Sequence, residues 1–481
     1  MRKYTFLITI VAAFFMLSCS GDLSDRTAQE YLSAYMKDNK QVVLFGKIDA
    51  KQILEKADYK NIPKAAVLLK SEMQQYEAAL DLSQGICFAL EGPFAKDAAP
   101  SKFLAFVKVK SMDSLTSKIT SLGLMMEEEG DMKFTQDNDV SIGVKEHLAI
   151  FITKKGNYDG KVALKEAFEK TEQDPSEGKI EKILSQKGDI LMGVSFQNLY
   201  ATSNTSLEEL PPAKKKQFEA LVNDSYIQSR ISFEKGQAVF ESQNLFSKEL
   251  MDRMFFQEDP GAAILAKLGK GNARLGVTMN MDMNKMESFV DDFAPDFKRS
   301  LSRLSFQMQL IMSSLGDKPL TNLLNGQLGL VMVGDMMRDG SLVPDANIYI
   351  GLGNKGKDVS EALAAFLPKD GLYGMHVNVN DKEVYIASGG SDAKELSIPA
   401  FAAEFGKKGV TAFINFDGMD MESLGLRNEG KALYAFRHIM VTVDNNGSQM
   451  IITGKNPDEN ILKQVVNVYV KDLEKSIGAI N

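Results

Sequence analysis

The run Gly351-Leu352-Gly353-Asn354-Lys355-Gly356 has the spacing GxGxxG and falls between an apolar strand-like stretch and a helical one. In a dinucleotide site such glycines let backbone amides approach a pyrophosphate at a helix N-terminus. Two observations in the sequence argue against that use. The corresponding turn in the first half, Val107-Lys108-Val109-Lys110-Ser111-Met112-Asp113, has no glycine. The pattern that follows is a hairpin, whereas a dinucleotide fold needs a parallel crossover. The glycines therefore read as turn chemistry, and no cofactor is expected.

Other candidates fare no better. Met279, Met281 and Met283 alternate, with Met286 beyond, in a chain holding 25 methionines. Clustered thioethers suit Cu(I), but alternate strand positions also face a core that methionine fills. The three histidines, His147, His376 and His438, are isolated, without the HxxxH or CxxC spacing of a zinc site. There is no GxSxG elbow; a Ser–His–Asp set drawn from distant positions stays open. Glu127-Glu128-Glu129 reads as a solvated turn after a helix, and Asp282, Asp291 and Asp292 as carboxylates near a helix N-terminus, where the dipole favours them. Asp444-Asn445-Asn446-Gly447 resembles part of a calcium loop but lacks the downstream glutamate; it reads as a hairpin turn over Asn446-Gly447. No catalytic or metal-binding residue is expected.

One residue does have a definite chemistry. Arg2 and Lys3 precede an apolar run over 6–17, which ends Met16-Leu17-Ser18-Cys19 and gives way at once to polar residues 20–25. A basic start, a short apolar core and a small residue make a secretory leader, and the run is short of the ~20 residues of a membrane span. The last four residues resemble the bacterial lipobox, with Met16 in place of the preferred leucine. The expectation is a signal peptide over 1–18, with Cys19 acylated (palmitate) as the mature N-terminus. Each buried lipid methylene contributes about 0.8 kcal/mol, so several chains make a lasting anchor.

Composition limits the partners. Hydrophobic residues make up 44% and charged residues 25%, the balance of a folded domain. The net charge of −8 falls to −10 once Arg2 and Lys3 leave with the leader. The densest basic clusters are only Lys214-Lys215-Lys216 and Lys407-Lys408, and phosphate backbones demand far more, so no nucleic-acid partner is expected. With Cys19 lipidated, Cys87 is a lone thiol in an apolar strand pattern, a buried small hydrophobe and not half of a disulfide. The absence of Trp lowers the case for stacking a sugar.

The patterns that would position any site occur twice. Strand-like runs at 42–49, 85–90, 103–109, 140–144, 148–153, 188–196, 227–233 and 238–245 alternate with helical patterns at 65–80, 113–122 and 207–223. A similar order follows at 273–282, 326–333, 346–350, 374–379, 383–387, 410–416, 439–443 and 449–453. The expected fold class is α+β: two tandem repeated modules of mainly antiparallel sheet with helices packed on one face. The expected segments are a tether with a short helix over 19–39, a first module over 40–248, a linker over 249–269 holding Asp259-Pro260-Gly261, and a second module over 270–481 with a C-terminal helix.

Ala346-Asn347-Ile348-Tyr349-Ile350, Val410-Thr411-Ala412-Phe413-Ile414-Asn415-Phe416 and the closing Asn446-Gly447 hairpin, behind the leader, give the chain a resemblance. It resembles envelope lipoproteins of Bacteroidetes that share a domain of unknown function. The resemblance implies an envelope lipoprotein and brings no activity or catalytic residue.

The resulting expectation is a lipid-anchored protein of the cell envelope, on the outer membrane and facing the periplasm or the surface. It would act as a non-enzymatic scaffold or binding protein, with an envelope protein or glycan as its partner. The alternative is a glycan-binding protein or hydrolase with its site in a cleft between modules; a carrier of a hydrophobic ligand is a third reading.

Overall fold

A computed structural model describes residues 26–478, except 62–66, 94–99, 138–139, 155–157, 177, 203–209, 260–261, 295–296, 299, 301–305, 335–336, 339–340, 343–344, 367–374, 389–394 and 420–427. The fold is mixed, 38% helical and 37% strand, with antiparallel sheet throughout its main ladders. Cys19 and the leader lie outside the described residues.

Two compact units divide the chain. The first holds the residues up to Asn204, with Asp224–Leu245 and Asn456–Asn481; the second holds Thr205–Asn223 and Phe246–Lys455. These are not the linear segments read from the sequence, because each unit takes a helix from the other half of the chain. The C-terminal helix Ile461–Gly478 belongs with the first unit. Its lead-in is fixed there: Asn460 Nδ2 donates to Phe233 O at 3.0 Å, and Lys463 pairs with Asp58 at 2.9 Å. The helix Pro212–Val222 belongs with the second unit, where Lys214 pairs with Asp292 and Phe218 packs on Phe293. The expected linker is also folded into the second unit. Gln257 N donates to Asn280 O at 2.9 Å, and Ile264 and Leu268 are buried.

In the first unit the strands are β1 (Val42–Ile48), β2 (Ile86–Glu91), β3 (Lys102–Val109), β4 (Met132–Gln136), β5 (Val140–Lys145), β6 (Leu148–Lys154), β7 (Ile190–Ser195), β8 (Tyr226–Glu234) and β9 (Gln237–Leu245). They pair antiparallel in the order β9-β8-β7-β1-β2-β3-β6-β5-β4. Glu127–Glu129 closes the β4 edge; the three glutamates form a short exposed strand, not the solvated turn read from the sequence.

The second unit holds β10 (Gly271–Asn280), β11 (Leu324–Val333), β12 (Asp345–Leu352), β13 (His376–Val379), β14 (Glu383–Ala387), β15 (Val410–Asn415), β16 (Phe436–Asp444) and β17 (Gly447–Gly454). Their order is β17-β16-β15-β10-β11-β12-β14-β13, again antiparallel. The closing hairpin pairs Asp444 with Gly447, so its turn residues are Asn445 and Asn446, one step earlier than expected. Asp444 Oδ1 holds the turn by accepting from Asn446 N at 2.8 Å, the side-chain mimicry of a backbone turn that suits Asp.

Helices do not pack on one face only. In β3, Leu104 and Phe106 join one apolar cluster, together with the helices Ala28–Met36, Gly160–Thr171 and Lys179–Leu184. Ala105, Val107 and Val109 join another, with the helices Ala50–Lys56, Val67–Ala79 and Met112–Ser121. The reason is visible in Phe103-Leu104-Ala105-Phe106-Val107, where apolar residues are consecutive and not alternating; such a strand is buried on both sides. Burying one such side chain contributes roughly 1.5–3 kcal/mol. The second unit divides likewise: Tyr349 and Val331 face one cluster, Ile350 and Leu352 the other.

Candidate functional site

The helix Ala28–Met36 begins with a capping box. Glu30 N donates to Thr27 Oγ1 at 3.2 Å, and Thr27 N donates back to Glu30 Oε2 at 2.6 Å. The cap is thus Thr27, in a Thr-x-x-Glu pattern legible in the sequence. Arg26 ties the entrance down by donating to Thr171 O at 2.7 Å and Gln173 O at 2.5 Å.

One face of this helix carries Thr27, Glu30, Ser33 and Lys37, the three- and four-residue spacing of a helical stripe. It lines an open groove of about 1120 Å³, whose other wall includes Asp174, Ser176, Gly178, Glu181 and Leu184. Ser33 Oγ donates across it to Ser176 O at 2.9 Å. No His or Cys is among the lining residues, which are mainly hydroxyls, carboxylates and one lysine. Drug-sized ligands favour mostly apolar pockets; this wall of carboxylates and hydroxyls suits a polar surface.

Beneath the helix lies a buried polar group that the sequence reading missed. Tyr35 OH donates to Glu91 Oε1 at 2.6 Å, Asn39 Nδ2 donates to the same oxygen at 3.0 Å, and Lys102 Nζ stands 3.2 Å from Oε2. Tyr35 is fully buried and Glu91 nearly so. Burial pushes the Glu91 carboxyl up, but Lys102 and the bonds from Tyr35 and Asn39 more than offset it, leaving the pKa below the usual range. Burial, then the nearby carboxylate, pushes the Tyr35 hydroxyl well up. This arrangement clamps a helix to a sheet and holds each proton in place. The signal in the sequence was slight: an acidic residue ending one strand and a lysine opening the next.

The second unit brings two of the sequence motifs together. A pocket of about 310 Å³ is lined by Met281, Asp282, Met283, Asn325, Gly353 and Asn354, among others. The amides that could cradle a phosphate are already bonded: Gly353 N to Leu323 O at 3.0 Å, Asn354 N to Thr321 O at 3.2 Å and Lys355 N to Asn322 O at 3.1 Å. Space explains the glycines. A Cβ on Gly353 would lie 2.2 Å from Thr321 O, and one on Gly356 2.1 Å from Asp381 O. They admit neighbouring backbone. The methionines are not one strand face either. The strand stops at Asn280, Met283 opens a helix, and Met281, Met283 and Met286 belong to the same apolar cluster.

The remaining candidates disperse. Cys87 is buried and unpaired by any disulfide, and burial pushes its thiol up to about 12, the state of an inert thiol. His147 lies in the β5–β6 turn, His376 opens β13, and His438 on β16 stacks on Phe401 with ring centroids 3.8 Å apart. Asp282 caps the helix Met283–Phe293 as expected, accepting from Asn284 N at 3.0 Å. Asp291 and Asp292 sit at the other end of that helix, where the dipole opposes them. Lys298 holds Asp291 at 2.5 Å, and Lys214 and Arg253 hold Asp292. Of the triplet lysines Lys214 is drawn into such a pair, and Lys408 pairs with Glu258 and Asp444. No group of three potential His, Cys, Asp or Glu metal ligands occurs among the described residues, and no described helix is long and apolar enough to cross a membrane.

No family model and no curated protein matches the chain. Among solved structures it is similar to TP0453. Crystal form IV gives a TM-score of 0.26 at 10% identity over 42% of this chain and 76% of that one. Crystal form I gives 0.21 at 9% identity over 76% and 94%. A likeness of this extent carries no argument about fold or function.

Proposed function

We propose that this chain is a lipid-anchored envelope protein, most simply of the outer membrane, which serves as a non-enzymatic binding scaffold built from a duplicated module. The observation that carries the reading is the leader, ending Met16-Leu17-Ser18-Cys19 and followed at once by polar residues. The capping box at Thr27 supports it, because folded structure is under way within a few residues of Cys19. The intervening residues are then a tether between lipid and body.

Duplication is supported by the matching strand orders and by a finer coincidence. The first strand of each unit carries a register shift just after the first pair of its ladder, between Val42 and Leu44 in β1 and between Ala273 and Leu275 in β10, with five pairs beyond it in one and six in the other. Each is followed by an aspartate that caps the next helix, Asp49 and Asp282. Bulges of this kind are retained features of a fold.

The test of the anchor is Cys19→Ala. The expected result is loss of acyl label and release from the membrane fraction; a variant that stays membrane-bound with its label intact overturns the reading. The scaffold role is tested by crosslinking in the native envelope, where a specific stoichiometric partner is expected.

A further inference from the structure

We propose that the edge strand β13 is a docking site for an extended segment of a partner polypeptide, which adds to the sheet as one more antiparallel strand. The proposal rests on the scaffold reading and names the surface that would do the binding. Such strand addition uses main-chain hydrogen bonds for affinity and alternate side chains for specificity.

The first unit shows what belongs at this position. There the counterpart of β13 is β5, and β4 covers its outer edge from Ser141 to Lys145. Counting from each hairpin turn, Ile142 and Val144 correspond to Val377 and Val379. Under their cover Ile142 is 4% and Val144 2% exposed. Val377 and Val379 stay half-buried, with exposed His376 and Asn378 between and beside them. Among the described residues β14 is the one strand paired with β13.

The chain lengths agree. Eighteen residues, 122–139, separate the helix Met112–Ser121 from β5, and they include β4 and Glu127–Glu129; nine residues, 367–375, separate the helix Gly356–Phe366 from β13. The backbone points the right way as well. Asn380 N donates to Glu383 O at 3.0 Å, so Asn378 and His376 also turn their amides toward β14. Alternation along an antiparallel pair then leaves the N–H and C=O of Val377 and Val379 facing outward.

The two edges differ in protection. Proteins blunt exposed edges with charge and short strands, and the first unit ends on Glu127-Glu128-Glu129. The β13 edge, His376-Val377-Asn378-Val379, carries no acidic or lysine side chain. It therefore suits a segment with uncharged or apolar residues at alternate positions, as in Met132-Lys133-Phe134-Thr135-Gln136, where Met132, Phe134 and Thr135 are buried.

The probe is a labelled peptide with the sequence of residues 130–138, titrated into the full chain. Saturable binding is expected, with slowed hydrogen exchange at the Val377 and Val379 amides. Val377→Pro removes an outward N–H that bonds to no described strand, a replacement edge strands tolerate, and should weaken binding at least tenfold. Absence of saturable binding, protection confined to the first unit, or equal affinity in the proline variant overturns the proposal. Self-association that the proline variant abolishes assigns the edge to a second copy of the chain and overturns the partner segment. The titration needs no anchor, so its failure is distinct from failure of the Cys19 test.

Discussion

The two units order eight strands alike, the first adding β4 at its edge, and meet the demands of that order with different chemistry. At the start of the central pair, Val42 faces Glu91 in the first unit and Ala273 faces Val333 in the second. One position thus holds a buried carboxylate clamped by Tyr35, Asn39 and Lys102, and the other a buried valine in an apolar cluster. Above this face the first unit packs the helices Ala28–Met36, Gly160–Thr171 and Lys179–Leu184, while the second has the short turns Ala263–Lys267 and Ala400–Ala402. The difference teaches that strand order is set by the sheet's own pairing, whereas the covering layer can be exchanged. Where a helix lies over the sheet, a polar clamp fixes its position; where the described cover is short turns, apolar contact suffices.

The largest test of the contrast is truncation at that shared position. Glu91→Ala leaves Lys102 and the Tyr35 hydroxyl without their buried partner and should cost about 3–5 kcal/mol. Val333→Ala should cost about 2 kcal/mol, from lost methyl groups and a small cavity. Hydrogen exchange resolved to the strand amides of each unit measures both. Equal costs would mean the polar clamp adds nothing that apolar packing does not.

A smaller and symmetric effect is expected at the caps. Asp49 Oδ1 accepts from Gln52 N at 3.0 Å, and Asp282 Oδ1 accepts from Lys285 N at 3.1 Å. Replacing either by Ala should cost about 1 kcal/mol, read as local exchange in the following helix. A large inequality between them would break the equivalence of the two positions.

The smallest effect is a pH dependence confined to the second unit. Burial, aided by Arg437, lowers the pKa of His438 from its ordinary 6.5. The unfolded chain therefore binds a proton more readily than the folded one between 6.5 and the lower native value. Stability from this residue is complete above pH 6.5 and is lost as pH falls through that window. His438→Phe should flatten the dependence in the exchange of β16 amides while leaving β8, its counterpart in the first unit, unchanged. An unaltered pH profile would remove His438 as its source.

Much of the local structure was legible from residue order. The strands over 42–48 and 410–415, the β5–β6 hairpin and the 235–236 turn follow from apolar patterning and turn residues. The glycines at 353 and 356 were read as turn chemistry, and neighbouring backbone at Thr321 and Asp381 leaves no room for a Cβ at either, while the side chain of Asn325 crowds Gly351. The burial of Cys87 also followed from its apolar neighbours. Errors came where long-range partners decide. Asp291 and Asp292 carry no mark in the sequence of the lysines and arginine that hold them, and Glu127–Glu129 becomes a strand only because Met132–Gln136 pairs with it.

The sequence by itself determined most of the described strands and helices and the antiparallel character, because these depend on neighbours a few residues apart. Only the tertiary structure decided which unit receives each helix, that both sheet faces are covered, and that Tyr35, Asn39, Glu91 and Lys102 converge. Those outcomes rest on contacts between residues tens to hundreds of positions apart, for which local pattern supplies no distance. The edge at Val377 and Val379, paired among the described residues with β14 alone, belongs to the same class. A strand's sequence specifies its pleat, but a hydrogen-bonding row is left open or covered only by what the rest of the fold lays beside it.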